Sequence, residues 1–209
     1  MEAAVACATA AFAFRGLQLS RVRGMMRATI TTMALLIAAS VATPLKAADI
    51  EAGKAKATEV CAACHGENGI STMENIPSLA GQQDQLIQWQ LVFFRAGTRK
   101  NEQMQPVVEQ LNNEDIRNLG AYFASLTPPQ GTKDDNPDLS AKGKQAAMGR
   151  RCASCHGDNF AGTKAVARIA GQREEYLVKA LRDYKSGERS GGGMAAMADV
   201  AYPLHEEEI

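Results

Sequence analysis

The sequence predicts an all-α protein that consists of two similar domains in tandem. Residues 49–126 and 140–209 can be aligned with each other, which is the signature of an internal repeat. In each half, apolar residues recur at helical spacing, and no segment shows the period-2 alternation of a strand. A stretch rich in Pro, Gly and charged residues separates the halves and predicts an exposed linker. The predicted boundaries are 49–127 for the first domain, 128–139 for the linker and 140–209 for the second domain.

The N-terminal segment, residues 1–48, has the composition of a secretory signal peptide. It is nearly free of acidic residues, and a basic stretch precedes the apolar run 30–41 and a zone of small residues. The run is too short to read comfortably as a membrane span, although an uncleaved anchor remains the alternative. Residues 1–24 form an unusual extension before the basic stretch, and a natural start at Met25 or Met26 would explain it.

The internal repeat extends over most of each half. Its matched segments keep nearly constant spacing, so we expect matched positions to have matching roles. The segments are 52–54 with 142–144, 79–82 with 169–172, 94–97 with 184–187, and Met104, Leu111 and Ile116 with Met197, Leu204 and Ile209.

Three helices are predicted in the first half. A helix over 50–61 is rich in Ala and Lys, and a loop over 66–82 follows it. A closing helix over 113–126 has apolar residues at i, i+3 and i+4 spacing. Between them, an amphipathic helix over 84–95 carries three aromatic residues that we expect in the core or against a cofactor, namely Trp89, Phe93 and Phe94.

The strongest functional signal is the pattern Cys-x-x-Cys-His-Gly, which occurs at 61–66 and again at 152–157. It is the attachment signature of a c-type haem. Two thiols at this spacing bond to one porphyrin, and the adjacent imidazole binds its iron. The pattern therefore predicts two covalently bound haem c groups. The thiols are Cys61 with Cys64 and Cys152 with Cys155, and the imidazoles are those of His65 and His156.

Other uses of these cysteines fit the pattern less well. A structural zinc ion normally takes well-separated Cys pairs, and a His directly after a Cys points poorly towards the same ion. A redox dithiol of the thioredoxin type does not require the histidine. Disulfides are not expected, because the four thiols are used in thioethers.

The order of these features resembles class I cytochrome c: the haem motif, a loop at 77–82, an aromatic helix, a methionine and a closing helix. The tandem arrangement is similar to the dihaem cytochrome c4 family over essentially the whole chain after the signal segment. The resemblance implies two class I cytochrome c domains, each wrapped around a covalently attached haem. It also implies low-spin haems with His and Met ligands, and contact between Gly53 in the first helix and Tyr122 or Phe123 in the last.

The sixth ligand of each iron is predicted to be a methionine, whose thioether raises the reduction potential and blocks other ligands. Met104 follows His65 at the distance found in small cytochromes c, and it has a repeat partner. In the second half the alignment selects Met197, with Met194 as its rival.

A ligating histidine normally donates its other ring N–H to an acceptor that fixes its orientation. The resemblance implies that these acceptors are backbone carbonyls, at Pro77 in the first half and at Ala167 in the second. Because Ala167 lacks the rigid ring of proline, we expect His156 to be held less firmly than His65.

The second half departs from the first at Ile209, where its closing helix should begin. It therefore lacks the aromatic residue expected to pack on Gly143, the counterpart of Gly53. Either the sequence is a fragment or has a shifted reading frame, or another element closes the domain; truncation is the favoured interpretation. In a chain that ends here, we expect the second domain to be the less stable one.

An electron carrier is the function that these features predict. Lys and Arg together number 23, as do Asp and Glu, so no basic surplus indicates nucleic-acid binding. The resemblance implies a periplasmic protein that takes electrons from a quinol-oxidising complex or a dehydrogenase and gives them to an acceptor such as a terminal oxidase. Such partners bind through small, transient surfaces, and peripheral membrane association is compatible with this role.

Two other functions remain open at this point. A cytochrome subunit of a periplasmic dehydrogenase would have a tight co-purifying partner. A dihaem peroxidase would need one haem without a stable sixth ligand, which the matched Met104 and Met197 disfavour.

Overall fold

The computed structural model describes residues 47–131, 133–189 and 195–209. Met194 and all but the last two residues of the predicted signal peptide lie outside the described residues. Within the described ranges every regular element is a helix, and the one isolated bridge joins Thr163 to Val166. The all-α prediction is confirmed. No helix in these ranges combines the length and the apolar character needed to cross a membrane.

The first half, all of it described, contains five helices. The three long ones match the predicted helices to within one residue. The five are α1 Ile50–Val60, α2 Ala62–His65, α3 Asp84–Arg95, α4 Gln105–Val108 and α5 Asn113–Ser125.

Side-chain caps explain where the first and last of these helices begin. The Asp49 carboxylate accepts a hydrogen bond from the N–H of Ala52 at 3.0 Å, at the start of α1. At the start of α5, Asn112 accepts from the N–H of Asp115, and the Asp115 side chain accepts in return from the N–H of Asn112. A cap of this kind stabilises a helix by about 1 kcal/mol.

The first domain is closed where α1 crosses α5. A Cβ built on Gly53 would overlap the carbonyl oxygen of Asn118 and lie 2.9 Å from the Cβ of Tyr122. Only glycine permits this close approach of the two helices. The predicted contact between Gly53 and an aromatic residue is therefore confirmed for Tyr122, whereas Phe123 packs on Gly69.

A cluster of buried apolar side chains lies between α1, α3 and α5. Burying a side chain of this size contributes roughly 1.5–3 kcal/mol. The cluster consists of Ala57, Ile87, Leu91, Phe94, Val108, Leu111, Ile116, Leu119, Tyr122 and Phe123.

The described part of the second half repeats this order with a smaller core. Its elements are α6 Pro137–Gly149, α7 Ala153–His156, α8 Glu174–Ser186, α9 Ala195–Ala201 and a 3-10 helix over Glu206–Glu208. The buried cluster here contains only Tyr184, Ala201 and Leu204, with Met197 among the side chains packed against it.

The face of α6 that corresponds to the crossing point of α1 is open in the described chain. No heavy atom lies within 4 Å of a Cβ built on Gly143. An open groove of about 450 Å³ runs beside it, bordered by Ala147, Met148 and Phe160, and Met148 is 69% exposed. The lower stability expected for the second domain stays a prediction.

The ends of α3 and α8 show that the repeat holds in three dimensions. Arg95 donates to the carbonyl oxygen of Leu111 at 3.0 Å. Lys185, its repeat partner, donates to the carbonyl oxygen of Leu204. Matched residues therefore make matched contacts, although the two cations differ.

The segment that joins the halves is anchored at its start. A Cβ on Gly81 would lie 2.5 Å from the Cβ of Pro128, and a Cβ on Gly171 would overlap the carbonyl of Pro129. Both prolines are half-buried. The first residues of the predicted linker thus pack against one glycine from each half, and α6 begins at Pro137, before the predicted end of that linker.

Gly53 and Gly143 provide a matched pair of substitutions. Gly53→Ala should destabilise the protein by at least about 2 kcal/mol, because the backbone of α5 leaves no room for a methyl group. Gly143→Ala should stabilise it by about 0.5–1 kcal/mol, because alanine is the better helix former and meets no neighbour. Chemical denaturation followed by circular dichroism measures both. A destabilising Gly143→Ala would show that another element covers this face in solution.

Candidate haem-binding sites

The first haem motif folds as a single helical turn. The N–H of His65 donates to the carbonyl of Cys61 at 2.9 Å, and that of Gly66 donates to Ala62 at 2.9 Å. This turn brings the thiols of Cys61 and Cys64 and the imidazole together. Gly66 then leaves the helix with a φ of 81°, and a Cβ on it would overlap the carbonyl of Ile70. The glycine after the motif is thus required by the backbone.

His65 is held in one orientation. It is 8% exposed, and its Nδ1 donates to the carbonyl oxygen of Pro77 at 2.8 Å. Burial lowers the pKa of His65 despite this hydrogen bond, so the ring is neutral at pH 7 and Nε2 is the nitrogen available to a metal. The predicted role of the Pro77 carbonyl is confirmed.

Cys61 and Met104 are both half-buried beside the first core. Both are packed against the buried cluster of the first domain. Burial, with Cys64 adding to it, raises the pKa of Cys61 to about 12, so this thiol is protonated at neutral pH when no haem is attached. The N–H of Met104 donates to Oδ1 of Asn101 at 2.9 Å, which fixes the start of α4. The assignment of Met104 as an iron ligand stays a prediction.

The second motif repeats the geometry of the first. α7 ends at His156, and Gly157 follows with a φ of 80°. His156 is 9% exposed, and its Nδ1 donates to the carbonyl of Ala167 at 2.8 Å. The distance equals that to Pro77, so the expected looser hold on His156 does not appear in the geometry. In the turn before Ala167, the N–H of Val166 donates to Thr163 at 2.8 Å, against 3.4 Å for the matching turn from Ile76 to Met73.

The second candidate methionine, Met197, lies on α9 and packs against Tyr184, Ala201 and Leu204. Its rival Met194 lies outside the described residues, so the choice between them stays a prediction.

The aromatic residues of α3 differ in how deeply they are buried. Phe94 is 6% exposed and belongs to the core, whereas Trp89 is 40% exposed. Trp89 therefore lies outside the protein core, and a position against a haem stays a prediction for it.

Two arginines that the sequence did not single out meet between the halves. Arg99 lies over the ring of Phe94 at 4.3 Å, and its repeat partner Arg189 lies over the ring of Tyr184 at 4.6 Å. The signal that would have found them is the repeat itself, because each follows the aligned segments 94–97 and 184–187 at the same distance.

Two neutral acceptors bridge these arginines. Gln90 Oε1 accepts from Arg99 at 2.5 Å and from Arg189 at 3.0 Å. The hydroxyl of Tyr176 lies 3.4 Å from a guanidinium nitrogen of each. In the alignment, Leu86 and Ala180 stand opposite Tyr176 and Gln90, so each bridging residue exists only once.

The positive charges of Arg99 and Arg189 suit the carboxylates of a haem. None of the salt bridges in the described ranges involves Arg99 or Arg189, and the buried Nε of Arg189 has no hydrogen-bond partner. Buried cations without carboxylate partners are costly. A haem carries two carboxylates, so the donor set of these arginines suits the group that the two motifs imply.

The same arginines act on Tyr176. Burial would raise the pKa of its hydroxyl, but Arg189 and Arg99 outweigh burial and lower the pKa from an ordinary 10.0 to about 8. Tyr184 lies nearby, and burial raises its pKa. Because the folded pKa of Tyr176 is depressed, ionisation favours the folded state. This stabilisation is complete above about pH 10 and is lost as the pH falls through about 8.

A tyrosinate titration checks this. The ultraviolet difference spectrum between the protein and its Tyr176→Phe variant should show one phenol ionising near pH 8. The variant's deficit in thermal stability should grow between pH 8 and pH 10. Tyr202→Phe, at a residue that is 76% exposed, should leave the transition near pH 8 in place. A phenol that titrates near pH 10 in the haem-free protein would contradict the prediction. A value near 10 in the haem-loaded protein alone would show that haem carboxylates neutralise the arginines.

Known proteins match the chain through both halves. The family model for cytochrome c matches residues 50–127 and again residues 140–207. A cytochrome c4 from Azotobacter vinelandii is 33% identical over 182 residues, which cover 78% of this chain and 85% of that protein.

Solved structures agree with this match. Reduced recombinant cytochrome c4 from Pseudomonas stutzeri superimposes with a TM-score of 0.71 and 32% identity, covering 78% of this chain and 94% of that chain. A thiosulfate dehydrogenase from Marichromatium purpuratum gives a TM-score of 0.66 and 30% identity, covering 77% of this chain and 38% of that chain. Each half is thus a cytochrome c domain with its own covalently bound haem c. The chain belongs to the cytochrome c4 family, whose members are electron carriers and not enzymes.

Proposed function

We propose that this protein is a periplasmic carrier that passes single electrons between respiratory proteins through two six-coordinate haems. The observation that carries the proposal is the matched pair of hydrogen-bonded histidines. Nδ1 of His65 and Nδ1 of His156 each lie 2.8 Å from a backbone carbonyl oxygen. A ring held at Nδ1 offers Nε2 as a ligand of fixed direction and raised basicity.

Four residues of each domain would hold its haem. A bound haem supplies an iron that takes up and releases one electron. The chain supplies two thioether bonds, one imidazole and one methionine thioether per site, and its buried side chains keep water and other ligands away. In the first domain these are Cys61, Cys64, His65 and Met104, and in the second they are Cys152, Cys155, His156 and Met197.

The proposed location follows from the N-terminal segment. Residues 1–48 have the pattern of an export signal. Cytochromes c receive their haem outside the bacterial cytoplasm, so export is consistent with the two attachment motifs. Mass spectrometry of the haem-loaded protein should find that residues 1–48 have been removed, and fractionation should place it in the periplasm. Recovery with an intact N-terminus in the membrane fraction would favour the uncleaved anchor.

Its partners are other redox proteins. We propose a quinol-oxidising complex or a dehydrogenase as the electron donor and a terminal oxidase as an acceptor, each bound transiently. A second candidate function is that of a cytochrome subunit bound to one periplasmic dehydrogenase. The likeness to a thiosulfate dehydrogenase favours that alternative, and a dehydrogenase that co-purifies at fixed stoichiometry would support it.

Substitution of the two methionines tests the ligand assignment. The oxidised protein should contain two haems per chain, both low-spin and both contributing to the methionine–iron charge-transfer band. Met104→Ala and Met197→Ala should each remove about half of that band and open one haem to cyanide, because no thioether then blocks the iron.

Two further methionines complete the test. Met148→Ala, at a residue that is 69% exposed, should leave the spectrum unchanged. Loss of half the band in Met194→Ala, with the band intact in Met197→Ala, would reassign the second ligand. A haem that is high-spin before any substitution would overturn the assignment of that site.

A further inference from the structure

Two glutamines reach across the boundary between the halves in a reciprocal way. Gln82 and Gln172 occupy matched positions at the ends of the repeated segments 79–82 and 169–172. Gln172 accepts from the N–H of Ser78 at 2.8 Å and donates to the Ser78 carbonyl at 2.9 Å. Gln82 accepts from the N–H of Arg168 at 3.1 Å and donates to the Arg168 carbonyl at 2.7 Å. Each half thus clamps the same backbone position of the other.

The clamped residues are directly bonded to the carbonyls that orient the histidines. The carbonyl of Pro77 and the N–H of Ser78 belong to one planar peptide unit. Its oxygen accepts from Nδ1 of His65 at 2.8 Å, while its N–H donates to Gln172. One rigid peptide therefore connects the imidazole of the first domain to a side chain of the second.

The second domain shows the same connection in the opposite direction. The carbonyl of Ala167 accepts from Nδ1 of His156 at 2.8 Å. The N–H of Arg168, in the same peptide unit, donates to Oε1 of Gln82. The two chains of hydrogen bonds are therefore crossed, since each begins at the histidine of one half and ends at the glutamine of the other.

Burial makes these bonds effective. Ser78 is 2% exposed and Gln82 is 7% exposed, whereas Arg168 and Gln172 are half-buried, so the competition from water is reduced. Hydrogen bonds in series polarise one another in such surroundings. Oε1 of Gln172 also accepts from the N–H of Arg173 at 3.0 Å, which fixes the side chain in place.

We propose that Gln172 is a positioning residue for His65, and Gln82 a positioning residue for His156, so that each domain tunes the axial ligand of the other. The inference rests on the proposed assignment of both histidines as iron ligands. An acceptor on the peptide N–H makes the peptide carbonyl a stronger acceptor for Nδ1–H. The imidazole becomes more electron-rich and stabilises the oxidised iron, which lowers the reduction potential.

Crossed shifts in potential are the expected result. In the haem-loaded protein, Gln172→Leu should move the potential of the first-domain haem in the positive direction and leave the second-domain haem unchanged. Gln82→Leu should move the potential of the second-domain haem in the positive direction and leave the first-domain haem unchanged. Spectroelectrochemical titration gives both potentials, and the Met104→Ala and Met197→Ala variants identify which potential belongs to which haem.

Gln83 provides a matched control. Its Nε2 donates across the same boundary to the carbonyl of Ala161 at 3.0 Å. The N–H of that peptide, on Gly162, donates to the backbone carbonyl of His156 at 2.9 Å, so the peptide contacts the main chain of His156 and not its imidazole. Gln83→Leu should therefore leave both potentials in place. Gln172→Glu retains an acceptor for the N–H of Ser78, so it should not reproduce the positive shift of Gln172→Leu.

A second measurement separates positioning from loosening of the interface. Nuclear magnetic resonance should show faster exchange of the Nδ1 proton of His65 in Gln172→Leu, and unchanged exchange of that of His156. Equal shifts of both haems, a shift confined to the mutated domain, or an equal effect of Gln83→Leu would each overturn the proposal. Low-spin His–Met spectra in every variant without crossed shifts would reject the positioning role alone, whereas spectra without a His ligand would reject the proposed function as well.

Discussion

The hydrogen bond from each haem-site histidine to a backbone carbonyl is the contact on which most of the chain's local geometry depends. It forces the loop after the motif to return to the imidazole, which requires the sharp turn at Gly66 in the first half. The return places the repeated segments 79–82 and 169–172 at the boundary between the halves. The first of these segments fixes where the linker starts, because Pro128 packs on Gly81.

The sequence was sufficient for whatever is local or repeated. The motif at 61–66 identifies two thiols and an imidazole because the chemistry needs them on one turn, and helix lengths follow from apolar spacing. The carbonyl of Ala167 was identified as a hydrogen-bond acceptor because Ala167 aligns with Pro77. An alanine alone would not have indicated this role. Proline was expected to matter there for stiffness, but the hydrogen bonds of His65 and His156 to their carbonyls have the same length.

Contacts between the halves were beyond the sequence. Gln82 and Gln172 were visible as a repeated letter, yet nothing in the chain says that each binds the opposite half. Trp89 was expected in the core or against a cofactor, and the structure places it outside the core because α3 packs only one face on the cluster. Hydrogen bonds between the halves depend on how their two surfaces meet. The periodicity of residues along the sequence does not predict that arrangement.

The bridge between Arg99 and Arg189 has a consequence for how such a protein can change over generations. The contacts of the two histidines and of Gln82 and Gln172 exist in two copies, so a mutation alters one copy and lets the two sites diverge. Tyr176 and Gln90 exist once and touch both arginines. A single codon change at either position acts on both halves at the same time, whereas a change at Gln172 or Gln82 reaches the peptide that holds the histidine of one half only.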